Sequence, residues 1–237
     1  MARLARVVVP GLPHHITQRG NRRQRTFFIP LDYEIYLDLL AEWSKKTGVE
    51  ICAYCLMSNH GHLIGIPESK ESLRECLSQV HAAYTRMINK RMKWKGYLWQ
   101  GRFSSFVMDE PHFITAVRYV LQNPVKAGLV KRPSDWPYSS ARAHLGLCDD
   151  PVVNVDRMAR EIDDWEAYLR IPMEEREAKR FEKHARTGRP IGSDAFVTEL
   201  ELQLGRTLLP QRPGPRSPDP FAIEAIKGTH TYLVRDK

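Results

Sequence analysis

Val49-Glu50-Ile51-Cys52-Ala53-Tyr54-Cys55-Leu56-Met57-Ser58-Asn59-His60-Gly61-His62-Leu63-Ile64-Gly65-Ile66-Pro67 decides the fold of this 237-residue chain. Two apolar runs flank Ser58-Asn59, residues suited to a tight turn, so the stretch predicts a hairpin with strands over 49–57 and 61–67. Side chains alternate between the faces of a strand, which sets His60 and His62 side by side. Two neutral imidazoles so placed suit one divalent cation.

Working outward, 14–20 reads as a first strand and 21–25 as a polar, basic turn. Residues 31–46 carry Ile35, Leu39, Leu40 and Trp43 at helical spacing, with Gly48 as the stop. Beyond the hairpin, 69–92 predicts a long helix with Leu73, Leu77, Val80, Tyr84 and Ile88 on its inner face. The aromatic, alternating stretch 94–108 predicts a fourth strand. Pro111 opens a further helix that runs to about Gln122, before the turn at Asn123-Pro124. The order predicts the α+β class: a ferredoxin-like βαββαβ sheet with one added C-terminal helix. Past the turn-rich segment Trp136-Pro137-Tyr138-Ser139-Ser140, a short helix is expected at 141–145 and a charged helical region at 156–182. Five prolines in 210–220 mark an extended tail. The chain is therefore divided into a domain at 1–146 and a helical, Pro-rich extension at 147–237.

Charge is unevenly placed. Residues 1–134 carry 20 Lys and Arg against 10 Asp and Glu, whereas 135–237 carry 16 against 18. Two stretches, 1–31 and 78–108, hold no acid at all. Such blocks favour a polyanion, because every phosphate neutralised releases counterions. Candidate contacts are Arg3 and Arg6 as an N-terminal arm, Arg19, Arg22, Arg23 and Arg25 after the first strand, and Lys93, Lys95 and Arg102 around the fourth. Trp94, Tyr97, Trp99 and Phe103 interleave with these charges and suit either base stacking or the core. No apolar run reaches the length of a membrane span and the N-terminus lacks the apolar stretch of a signal peptide, so the expected setting is cytoplasmic, at the nucleoid. Cys52-Ala53-Tyr54-Cys55 lies inside a strand pattern with no second pair downstream and reads as buried strand.

Tyr119 and Asn123 lie four residues apart on the last helix, which places a phenol and a carboxamide on one face. With His60 and His62 they would converge on a single cation, Mg2+ or Mn2+, beside a phosphodiester. Attack by the phenol would give a covalent phosphotyrosine and expel a 3′-hydroxyl. Because the link conserves the energy of the broken bond, rejoining needs no nucleotide cofactor. His14, His15, His81 and His112 have no partner spacing and receive no role.

Four segments taken together carry a resemblance: Pro13-His14-His15-Ile16-Thr17-Gln18-Arg19-Gly20, Met57-Ser58-Asn59-His60-Gly61-His62, Leu98-Trp99-Gln100-Gly101-Arg102-Phe103, and Arg118-Tyr119-Val120-Leu121-Gln122-Asn123-Pro124-Val125-Lys126-Ala127-Gly128-Leu129-Val130. In this order they resemble the single-strand HUH transposases with one catalytic tyrosine, and among these the REP-associated tyrosine transposases. The resemblance implies Tyr119 as nucleophile, His60 and His62 as metal ligands, and Asn123 as the third. It implies a substrate of single-stranded DNA beside an imperfect palindromic hairpin, cut and rejoined by an endonuclease and strand transferase. Insertion-sequence relatives are dimers and the long-tailed branch acts as monomers, so a monomer or a homodimer is expected. The rival expectation on the same fold is a hairpin-binding protein without chemistry. A hydrolase of small phosphoesters is disfavoured by the basic excess and the lack of a carboxylate-rich ligand set.

Overall fold

A computed structural model describes residues 5–209. Arg3 and the Pro-rich stretch 210–220 lie outside these residues. The core is a four-stranded antiparallel sheet of β1 (His14–Arg19), β2 (Val49–Met57), β3 (His60–Pro67) and β4 (Ser104–Val107), in the order β2-β3-β1-β4. With α1 (Pro30–Lys46) between β1 and β2, and α2 (Ser72–Met92) between β3 and β4, this is the ferredoxin-like βαββαβ arrangement expected.

The β2–β3 hairpin fixes which residues face one another at the site. Met57 faces His60 across the turn and Cys55 faces His62. A Cβ at Gly61, between the two imidazoles, would come within 3.0 Å of Leu56 Cδ2. Cys52 and Cys55 are buried free thiols of β2, in line with the strand reading.

One face of the sheet packs on α1 and α2. Ile16, Tyr54, Leu56 and Leu63 meet Tyr36 and Leu40 of α1 and Leu73, Leu77, Val80 and Ile88 of α2. Asp32, fully buried, accepts from the Phe28 and Ile29 amides at 2.7 and 3.1 Å, starting α1, and pairs with Arg91 of α2.

The other face is covered by α3 (Glu110–Leu121) and by helices later in the chain. After α3 come α4 (Asn123–Lys126), α5 (Ala141–His144), α6 (Val155–Ala159), α7 (Trp165–Arg170) and α8 (Glu175–Thr187). Phe106, Ile64 and Met57 of the sheet join Phe113, Val117 and Tyr119 of α3, Trp165 and Leu169 of α7, and Phe181 of α8 in one core. Ile191 adds a parallel bridge to Met108 at the edge.

Three expectations need correction. The fourth strand is only four residues long: 94–103 is a loop with left-handed turns at Lys93 (φ 55°) and Gly96 (φ 93°). Its apolar alternation arises because Leu98, Trp99 and Phe103 drop into the core, with only an isolated bridge from Trp99 to Gly20 joining the segment to the end of β1. The charged region at 156–182 is three helices, interrupted before the Asp164 cap of α7 and again at Ile171-Pro172. The division at 146 falls inside a compact unit that ends at Gly192, because α6, α7 and α8 share the core of the sheet. The second unit begins at Ser193, whose side chain accepts from the Phe196 amide at 3.2 Å to start α9 (Asp194–Leu204).

Candidate active site

The cross-strand register builds the site. His60 lies opposite Arg19 and His62 opposite Thr17, so the upper face of β3 and β1 carries two imidazoles, a guanidinium and a hydroxyl. A Cβ at Gly20 would lie 2.3 Å from the Gln24 carbonyl, so only glycine lets the chain leave β1 this tightly. α3 crosses above with Tyr119, and α4 begins with Asn123. All of these line one cleft of about 790 Å³, with Gln18, Arg23, Gln100, Arg102 and, from α8, Glu182 and Arg186.

The rings are close together. His60 and His62 have centroids 5.0 Å apart, and the His62 and Tyr119 centroids are 5.7 Å apart. Tyr119 stacks on Phe181 of α8 at 5.1 Å. Nδ1 of His60 is 2.6 Å from the Asn59 side-chain oxygen, to which it donates as Nδ1–H, leaving Nε2 as the lone-pair nitrogen. His62 Nδ1 is 3.1 Å from Nε2 of His15. Asn123 donates its amide NH2 to the Tyr119 carbonyl at 2.8 Å and the Val120 carbonyl at 3.4 Å, so its oxygen is the end left over. The i, i+4 relation of Tyr119 and Asn123 survives although α3 ends at Leu121.

Burial sets the electrostatics. It pushes the His60 imidazole down to about 4, with the Arg19 charge adding to the shift. His62 is held well below its ordinary value by burial first, then by the neighbouring charges of His60, His15, Arg19 and Lys126. Both rings are thus neutral, the ligating form. Burial raises the Tyr119 phenol to about 12; Glu182 pushes it the same way and Arg19 opposes.

Among the described residues no group of three or more His, Cys, Asp or Glu side chains is placed to hold a metal. The expected set has two imidazoles and one carboxamide, and here the residues fit. Each histidine has one nitrogen engaged and the other left over, the pattern of metal-binding imidazoles. This donor set suits a cation that also keeps open positions for water and phosphate oxygens.

The basic candidates divide. Arg19, Arg23 and Arg102 line the cleft, whereas Arg22, Arg25, Lys93 and Lys95 are exposed away from its wall. Arg6 is no free arm: its guanidinium sits 3.6 Å over the Phe103 ring and donates to the Phe103 carbonyl at 2.8 Å. Trp99 and Phe103 are core, while Tyr97 is 88 % exposed and Trp94 41 %. Sequence reasoning missed His15, Glu182 and Arg186. For His15 a signal existed, since it shares a β1 face with Thr17 and Arg19; for the α8 residues there was none.

Residues 8–123 match the family model described as IS200-like transposase. A Haemophilus influenzae protein named for the REP-associated tyrosine transposases is 30 % identical over 102 residues, covering 38 % of this chain and 58 % of that one. The Escherichia coli K12 REP-associated tyrosine transposase is 24 % identical over 120 residues, 50 % of this chain and 70 % of the relative. A solved REP-associated tyrosine transposase bound to a REP hairpin is 25 % identical, covers 65 % of this chain and 93 % of its own, and gives a TM-score of 0.49. The chain thus spans little more than half the length of the Haemophilus relative. Residues 8–123 are thus similar to the IS200-like transposases, and the resemblance to the REP-associated tyrosine transposases is borne out by these relatives.

Proposed function

We propose that this chain cleaves and rejoins single-stranded DNA beside a REP-like hairpin, with Tyr119 as nucleophile. The observation that carries the reading is the convergence of Tyr119, His60 and His62 on one cleft of a single chain, with the Tyr119 and His62 rings 5.7 Å apart. The Tyr119 oxygen attacks the scissile phosphorus, an O–P bond forms, and the bond from phosphorus to the 3′-oxygen breaks. The product is a 5′-phosphotyrosine and a free 3′-hydroxyl, which takes up a proton. Burial and Glu182 favour the protonated phenol, so attack requires that its proton be taken up by a base or by solvent. Phe181 stacks on the ring and restrains its direction of attack. A divalent cation, Mg2+ or Mn2+, held by His60, His62 and Asn123 would supply Lewis-acid polarisation of a non-bridging phosphate oxygen. Arg19, Arg23, Arg102 and Arg186 are placed to hold phosphates along the cleft, contacts that position the strand without reading sequence.

The relatives' names connect them to REP elements, which supports a hairpin-flanked substrate. Both halves of the site come from the same chain, which supports a monomer over a homodimer as the acting unit. No helix among the described residues is long and apolar enough to cross a membrane. The test is to incubate the protein and Mn2+ with labelled hairpin-flanked single strands and map any protein–DNA adduct by mass spectrometry. An adduct on Tyr119, absent in Tyr119→Phe, supports the reading. Hairpin binding without an adduct would instead establish the binding protein without chemistry.

A further inference from the structure

His15 stands in a place where a histidine is a poor choice for packing. It is 1 % exposed, with the rings of Phe106, Tyr119 and Phe181 at 5.0, 5.8 and 6.4 Å. Its Nδ1 is buried with no hydrogen-bond partner among the described residues, a feature that destabilises and calls for an explanation. The adjacent His14, equally buried, has both ring nitrogens engaged by backbone, from the Val9 amide at 3.2 Å and to the Leu12 carbonyl at 2.8 Å. An apolar ring would fill the His15 site at least as well. Its one side-chain hydrogen bond among the described residues is the 3.1 Å bond between Nε2 and His62 Nδ1, with the two rings stacked at 5.3 Å.

We propose that His15 is a positioning residue that fixes the tautomer of His62 for metal binding, an inference that rests on the metal reading above. Only one proton lies between two neutral rings. If His62 Nδ1–H donates to the His15 Nε2 lone pair, His62 Nε2 offers its own lone pair to the cleft. In the reverse arrangement His62 Nε2 carries the hydrogen and cannot bind a cation. The first arrangement puts the remaining His15 proton on Nδ1, the atom the structure leaves unpaired. The buried unpaired nitrogen is then the consequence of presenting an acceptor to His62. Asn59 does the same for His60 through its side-chain oxygen, so each ligand ring has its own acceptor.

The full chain is titrated with Mn2+ alone, free metal being followed by its paramagnetic resonance signal, and metal-free thermal unfolding is measured in parallel. Parent protein is expected to bind saturably and His62→Ala to lose that binding. His15→Phe should weaken binding by about 10- to 100-fold while unfolding at the parent temperature or above it. His15→Gln, whose side-chain oxygen reaches the place of the imidazole Nε2, should bind within a few-fold of the parent. A purely structural role gives the opposite ranking, with phenylalanine tolerated and glutamine harmful; that ranking, or equal losses in both, overturns the proposal and leaves His60 and His62 as ligands. If His15→Phe does not fold, His15→Leu answers the same question. Absence of saturable Mn2+ binding in the parent overturns the metal reading together with the proposal.

Discussion

Under α1 and α2, the buried imidazoles are tied off: His14 by the backbone of its own loop, and His81 through a 3.0 Å bond to the Tyr36 hydroxyl. Under α3 and α8, on the opposite face of the same sheet, three imidazoles converge with a phenol at the wall of an open cleft. Burial depresses both sets alike, His14 to about 4, His81 to about 3 and His60 to about 4. Burial of a histidine is therefore no sign of function by itself. The sign is a ring with one nitrogen fixed by the protein and the other left toward space that a ligand can enter.

The widest separation between the faces is expected from a pair of substitutions. Tyr119→Phe should abolish the DNA adduct, a loss of roughly 10³-fold or more for removing a nucleophile, yet change stability by about 1 kcal/mol or less for one hydroxyl. Leu40→Ala, on the fully buried inner side of α1, should do the reverse. It is expected to cost about 2–5 kcal/mol in denaturant unfolding while Mn2+ affinity of the folded protein stays at the parent value. A large fall in affinity with Leu40→Ala would mean that the two faces are one cooperative unit for metal binding.

The parts of the molecule that were legible are those whose periodicity is local. The hairpin at 49–67 alternates around a turn, and the apolar residues of α1 and α2 recur at helical spacing, so the order of elements and the ferredoxin-like class were open to reading. The loop at 94–103 imitated a strand because alternation records burial, and here the burial is of single side chains from an irregular segment. The extension was misread for the opposite reason. In α8, Ala178, Phe181 and Ala185 fall at helical spacing, but they are few and small in a helix otherwise dense with charge, so the sequence shows an amphipathic helix without showing that it packs on the sheet and lends Glu182 and Arg186 to the cleft. His15 was passed over because its partner lies 47 positions along the chain.

Acid titration sharpens the structural side of the comparison. A histidine whose folded value lies below its unfolded value of about 6.5 favours the folded state when neutral. That contribution is complete above the unfolded value and is lost as pH falls toward the folded one, so His81, at about 3, loses it from about pH 6.5 downward. Each such residue contributes a slope of about 1.4 kcal/mol per pH unit in that window. Unfolding measured between pH 7 and 5 should show stability falling with acid, and His81→Gln should remove one proton's worth of the slope. An unchanged slope would place the proton uptake elsewhere.

The smallest effect concerns the ion pair that α8 brings to the cleft side of the sheet. Glu182 accepts from Lys126 Nζ at 2.9 Å, with the two side chains 57 % and 46 % exposed. Such a pair contributes at most about 1 kcal/mol to stability. Its charge nevertheless reaches the phenol: Glu182 raises Tyr119 beyond what burial does, and Arg19 lowers it. Glu182→Gln should therefore let Tyr119 ionise at a lower pH than in the parent, and Arg19→Gln at a higher one. Alkaline ultraviolet difference titration, with the spectrum of the Tyr119→Phe protein subtracted, isolates this one phenol among nine tyrosines. Shifts of opposite sign would make α8 a part of the electrostatics of the site. No shift in Glu182→Gln would reduce α8 to a cover that touches the Tyr119 ring only through Phe181.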